Sequence, residues 1–119
     1  MSEELLWSEW LRQISADLAA KGIAVVTIDG SRIRDKETFL EEFARELKFP
    51  DYFGENWDAF EECIMDLAWL HAEGVLLIYR DSGAFRTSRP DEWAIASGIL
   101  LDAVEYWEVP GFFLKVLFI

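Results

Sequence analysis

The chain of 119 residues has one cysteine, one histidine and three prolines, and fewer than half as many cations as anions. With Cys63 alone no internal disulfide can form, which fits a reducing compartment. The lone histidine, His71, falls near a helix end, where it reads as a surface residue rather than a catalyst. No glycine-rich phosphate loop follows a strand, and no Ser-His-Asp pattern can be assembled. No apolar run approaches the roughly 20 residues of a membrane-spanning helix. The opening stretch MSEELLWSEW is acidic and lacks the basic start of a secretory signal. The expectation is a cytoplasmic protein that uses no membrane.

The shortage of cations is the sharpest exclusion. Eleven Lys and Arg stand against 23 Asp and Glu, giving a net charge of −12. A general nucleic-acid binder needs cations to displace condensed counterions, so direct nucleic-acid binding is excluded. Such acidity suits a basic partner, because complementary fields speed encounter. Solubility explains it equally well until particular residues are considered.

What the chain does have is apolar content, 52% hydrophobic and 15% aromatic residues, enough for the core of one compact domain. Leu6, Trp10, Ile14 and Leu18 recur at helical spacing, with Trp7 and Leu11 alongside, so residues 3 to 20 read as an amphipathic helix ended by Lys21-Gly22. IAVVTI, from Ile23, is a β-branched run suited to a buried strand, and DGSR is a turn. From Asp35 a second helix puts Phe39, Leu40, Phe43 and Leu47 on one face, with Asp35 and Thr38 as its cap. Pro50 stops it. A third helix is expected from about Glu55 to Leu70. VLLIYR, from Val75, is a second strand, and DSGAFRTSRP, Asp81 to Pro90, is rich in turn formers and reads as a loop. A long helix from Asp91 turns Trp93, Ala96, Ile99, Leu100, Ala103 and Tyr106 or Trp107 inward. Gly98 inside it, costing about 1 kcal/mol against alanine, reads as a mark of close packing. FFLKVLFI after Pro110-Gly111 is a last strand. Strands separated by helices lie parallel, with right-handed crossovers. The fold class is therefore α/β: a three-stranded parallel sheet packed with helices, plus an extra N-terminal helix.

FPDYFGENWDAFEECIMDL, Phe49 to Leu67, carries the functional question. At about 100° per residue, Phe60, Cys63, Ile64 and Leu67 share a core-facing arc, while Asp58, Glu61, Glu62, Met65 and Asp66 lie opposite. Asp58, Glu62 and Asp66 are four apart and stack on one stripe. Like charges so spaced cost a few tenths of a kcal/mol per pair. Only Asp58 is near enough to the helix N-terminus to be favoured there. A solvated face would explain the stripe, but local violations without compensation also mark functional sites. Tyr52 and Phe53 add aromatic contact area beside it. Gly54 is expected to take a turn conformation closed to other residues, and Asn56 to cap the helix.

PDYFGENWDAFEEC, Pro50 to Cys63, resembles the signature of the barstar family, intracellular inhibitors of barnase-type ribonucleases. TIDGSRIRDKETF is similar to that family's first strand, turn and helix. The resemblance runs from about Ile23 to Ile119, so residues 22–119 are expected to form the family-like domain and residues 1–21 a helical extension of it. It implies a partner-binding surface of Tyr52, Asn56, Trp57, Asp58 and Glu62, joined by an acid of the last helix, Glu105 or Asp102; Glu61 and Asp66, from the acidic side of the same helix, are added to the expected surface. It implies that Glu62, at the position of the family's strongest contact acid, enters a cationic phosphate pocket in place of an RNA phosphate. The protein would then be a monomer when free, no enzyme, and would need neither cofactor nor metal. Three positions depart from the pattern: Glu62 is an aspartate in the family, and Glu61 and Leu67 stand where the best-known member has tryptophans. These departures keep a second reading in view, an immunity module for another basic partner such as an unrelated nuclease toxin. A third reading, an enzyme with Asp58 and Glu62 sharing a divalent cation, has no second acid-rich motif behind it.

Overall fold

The computed structural model describes residues 3–51, 53–109 and 111–119, the first three of these by backbone only. Helix α1 (Glu3–Ala19) precedes strand β1 (Ile23–Asp29). Helices α2 (Lys36–Glu46) and α3 (Trp57–Ile64) lead to β2 (Gly74–Arg80). Helices α4 (Ser82–Ser88) and α5 (Pro90–Glu108) lead to β3 (Phe113–Phe118). The strands form one parallel sheet in the order β1-β2-β3, with Ile23 opposite Gly74 and Gly74 opposite Phe113. The expected α/β architecture is the one observed.

The order decides where the core lies. Both crossovers step in the same direction, and right-handed crossovers of that kind put their helices on the same face of the sheet. On that face Ile28, Val75, Leu77, Tyr79 and Leu114 meet Phe39 and Phe43 of α2, Phe60 and Ile64 of α3, Phe85 of α4, and Leu100 and Ala103 of α5. Phe39 is the hub. Its ring stacks on Phe43 at 4.3 Å, meets Phe60 edge-on at 5.2 Å, and lies 5.6 Å from Phe85. Central β2 is apolar on both faces, as a strand covered on two sides must be. Two glycines allow backbones to close up. A Cβ on Gly30 would lie 2.0 Å from the Arg80 carbonyl oxygen, and one on Gly74 would lie 2.5 Å from Phe113 Cβ.

Helix α2 begins with the expected capping box, Asp35 Oδ1 accepting from Thr38 N at 2.9 Å and Thr38 Oγ1 from Asp35 N at 3.1 Å. Thr38 N, then its hydroxyl, hold the Asp35 carboxyl below its usual pKa. The charged residue Glu42 is buried, accepting from Asp29 N at 3.0 Å and paired with Arg45. It ties α2 to the end of β1, with both carboxylate oxygens engaged as burial requires.

Three sequence expectations fail here. Residues 82–88 are helix, not loop, because Phe85 is driven into the core between Phe39 and Trp93, and its burial outweighs the turn-forming Ser and Gly around it. Gly98 marks no close packing, since a Cβ there would meet nothing within 4 Å. Of the two aromatic candidates near the end of α5, Trp107 turns in and Tyr106 stays exposed.

The third failure is the register of α1. Trp7, Leu11, Ile14 and Leu18 are half-buried, while Leu6 and Trp10 are exposed at 56% and 40%. Helix α1 contributes nothing to the main core. It lies on the opposite, back face of the sheet against β1, with the Arg80 guanidinium 4.8 Å from the Trp7 ring centre. Ile78, whose side chain points to that back face, is fully buried there. The rotation away from the expected register follows from what α1 must cover: the sheet offers Val25, Leu76, Ile78 and the Arg80 stem rather than a deep core.

Candidate functional site

Helix α3 is short and fixed at both ends. Asn56 Oδ1 accepts from Ala59 N at 2.8 Å, the expected cap. Phe60, Cys63 and Ile64 are buried, with Phe60 edge-on to both Phe39 and Phe43. At the C-terminal end Trp107 Nε1 donates to the Ile64 carbonyl at 2.9 Å, tying α5 to α3. Just beyond, Trp69 Nε1 donates to the Leu47 carbonyl at 2.9 Å, tying the following turn to the end of α2. Two indoles thus clamp the segment to the core while its other side stays in solvent.

The helix runs from residue 57 to 64 rather than from 55 to 70, and backbone conformation is the reason. Glu55 and Leu67 both adopt left-handed φ, +53° and +55°, a region that costs a non-glycine residue about 1–2 kcal/mol. Leu67 accepts it because its side chain is buried in the core. Gly54 is not the residue with positive φ; Glu55 takes that role. Ending α3 at Ile64 removes Asp66 from the helical stripe. Its Oδ1 instead accepts from Ala68 N at 3.2 Å, in the 3-10 turn Ala68–Leu70.

Four proposed contact acids, Asp58, Glu61, Glu62 and Asp66, are exposed, and none forms an ion pair among the described residues. Asp58 and Glu62 stand one turn apart, a rise of about 6 Å. Behind them Cys63 is buried, and burial, then the charges of Asp66 and Glu62, push its thiol pKa up. It therefore stays protonated and unreactive near neutrality. Among the described residues no group of three or more His, Cys, Asp or Glu is placed to hold a metal ion. The arrangement offers carboxylates to cations arriving from solvent and assembles no nucleophile and base.

Asn56 is exposed and committed to its cap; Trp57 is half-buried against Phe39 and Phe60. Tyr52 lies outside the described residues. Phe53 packs edge-on against Phe49 at 4.9 Å, at the rim of the core. Glu105 and Asp102 are both exposed on α5. Val104 and Glu108 line a cleft with β3, while Glu105, Asp102 and Tyr106 all lie on the solvent side of α5.

One neighbour of this segment has no counterpart in any local sequence pattern. The Lys36 ammonium lies 5.6 Å from the centre of the Trp57 ring, the one cation placed against this segment by a described aromatic contact. Lys36, Glu37, Glu55, Arg89 and Glu92 border an open cleft of about 370 Å³ beside it. Lys36 and Trp57 are separated by 21 positions and two helix ends, so no local pattern links them; only the fold does.

Comparison with protein families matches the family described as Barstar (barnase inhibitor) over residues 23–119, from the start of β1 onward. Comparison with curated proteins gives no match.

Proposed function

The chain belongs to the barstar family, a family of barnase inhibitors rather than enzymes, and we propose that it inhibits a basic ribonuclease by placing α3 over the enzyme's active site. The observation that carries this reading is the set of exposed carboxylates, without ion-pair partners among the described residues, on a helix whose opposite face is locked into the core. A ribonuclease pocket is cationic because it must hold a phosphate. A carboxylate entering it makes charge-assisted bonds, bidentate where it meets arginine. Glu62 is the residue proposed to take the phosphate position. Asp58 and Glu61 flank it, and Trp57, Tyr52 and Asn56 complete the contact from the loop side. An acid of α5 closes the other side. Rigid presentation matters, because a preformed acidic face loses little conformational entropy on binding.

Like charges held together in the free protein repel, and opposite charges on the partner relieve that repulsion. Binding is therefore expected to weaken as salt rises, since screening shortens the reach of these charges. The test is calorimetric titration of a barnase-type ribonuclease. Tight binding that disappears in Glu62→Ala supports the reading, and equal losses for Glu62→Ala and Asp66→Ala would replace it with a diffuse charge effect.

One observation favours the second reading, a different basic nuclease as partner. Leu67 is only 2% exposed, so the position where the best-known family member has a tryptophan offers no side chain to a partner. With Glu61 replacing another aromatic, the footprint is more acidic and less aromatic. Capture of a basic nuclease unrelated to barnase, with no binding to barnase itself, would establish that reading instead.

A further inference from the structure

We propose that the back of the sheet is a self-association face, on which two copies of this chain pair about a two-fold axis. The inference is independent of what α3 binds, because the two surfaces lie on opposite sides of the sheet.

Helix α1 covers only part of the back face. Phe113, Leu117 and Ile119, on and just after β3, are exposed at 37%, 38% and 46%, with Lys115 exposed between the first two. On α1, Leu6, Trp10, Gln13 and Asp17 fall along one flank, at helical spacing. Helix α1 runs antiparallel to β1. With right-handed crossovers in the rest of the fold, that flank is the one turned toward β3. The result is an open step: an apolar strand as the floor, and a helix flank bearing Leu6 and Trp10 as the wall. Five of the nine large hydrophobic residues exposed among the described side chains belong to it. The other four lie on the outer side of α5 or just after it, away from this step.

A second copy fits the step for two reasons. The first is charge. The chain as a whole carries −12, so two copies repel over most of their surface. Within the step the described charged side chains are of opposite sign, Lys115 on β3 and Asp17 on the α1 flank, both exposed. Lys115 and Asp17 take part in none of the ion pairs among the described residues. One half of the step thus offers the Lys115 cation in an apolar strip, and the other offers the Asp17 carboxylate beside an apolar ridge. The second reason is geometry. An isologous contact needs a surface whose two halves complement each other. A two-fold axis along the strand direction lays α1 of each copy over β3 of the other, with the two α1 helices side by side between two sheets. Asp17 to Leu6 spans about 16 Å of helix and Lys115 to Ile119 about 13 Å of strand, so acids and apolar groups come into register together. The proposed dimer leaves both α3 faces open and takes the place of the free monomer expected from the sequence.

Sedimentation equilibrium of the full chain, from low to high micromolar concentration, tests this. The wild type is expected to reach twice the chain mass. Trp10→Glu and Lys115→Glu are each expected to raise the dissociation constant at least roughly tenfold. Both positions are exposed, so circular dichroism should stay native-like, which separates lost association from lost folding; melting temperature should fall only at concentrations where the wild type is dimeric. A wild type that remains monomeric at every concentration overturns the proposal, as does a dimer indifferent to both substitutions. If a monomeric wild type binds a different protein and Trp10→Glu abolishes that binding, the face belongs to a hetero-partner and self-association is again overturned.

Discussion

The two faces of the sheet are covered on opposite terms. On the core face four helices bury Phe39, Phe43, Phe60 and Phe85 completely, and the helix that carries the acids is held there by its own apolar side and by the Trp107 indole, while the Trp69 indole holds the turn that follows it. On the back face one helix lies half-exposed over β1, and its closest polar tie to β2 is the Arg80–Trp7 contact. The difference shows where precision is spent. The face that carries the exposed acids rests on fully buried aromatic packing. The extension outside the family's span rests on a shallow contact.

The largest expected effect separates the two faces directly. Phe39→Ala should destabilise the fold by about 3–5 kcal/mol, the range for deleting a buried aromatic ring, whereas Trp7→Ala should cost no more than about 1.5 kcal/mol. Denaturant unfolding of both variants checks this, and comparable losses would mean that α1 is an integral part of the core.

The next effect lies within the acidic face. Glu62→Ala should weaken partner binding by at least about 2 kcal/mol, roughly thirtyfold, as hot-spot residues do. Asp66→Ala should cost less than about 0.5 kcal/mol, because Asp66 is outside the helix and occupied with the turn at Ala68. Titration calorimetry on both variants reads the ratio.

Which parts of this were legible in the sequence depends on the range of the forces involved. The strands, the core face of α2, the Asp35 cap and the Asn56 cap follow from periodicity and from bonds spanning three or four residues, and all were read correctly. The α4 helix was missed because only Phe85's distant partners, Phe39 and Trp93, make it worth forming. The end of α3 was misjudged because Leu67's left-handed backbone is stabilised by burial, which no local rule reports. The register of α1 failed for a related reason: its stripe of apolar residues is wide enough for two rotations, and the sheet selects one. The acidic stripe itself was legible, but its third member was not, since Asp66 belongs to a turn that the helix pattern concealed.

Smaller effects refine the contrast. Asn56→Ala should remove about 1 kcal/mol by leaving an amide at the start of α3 without its acceptor, seen as a lower denaturation midpoint; an equal loss of binding would show that the loop geometry moved as well. The smallest effect concerns pH. The Asp35 carboxyl is held below its ordinary 3.8 by Thr38 N and the Thr38 hydroxyl. A depressed folded-state pKa contributes stability that is present above the ordinary value and lost as pH falls through the folded value. Asp35→Asn should therefore lower stability at neutral pH and flatten its decline below about pH 4. An unchanged acid limb would mean that other carboxylates govern acid unfolding.

A rigidly mounted acidic helix bearing Glu62 is proposed to close a ribonuclease active site. The most direct measurement is ribonuclease inhibition by the wild type and by Glu62→Ala, at two salt concentrations and with a barnase-type enzyme. Inhibition by the wild type that weakens with salt and is largely lost in Glu62→Ala is the predicted result. Inhibition that Glu62→Ala leaves intact would contradict it.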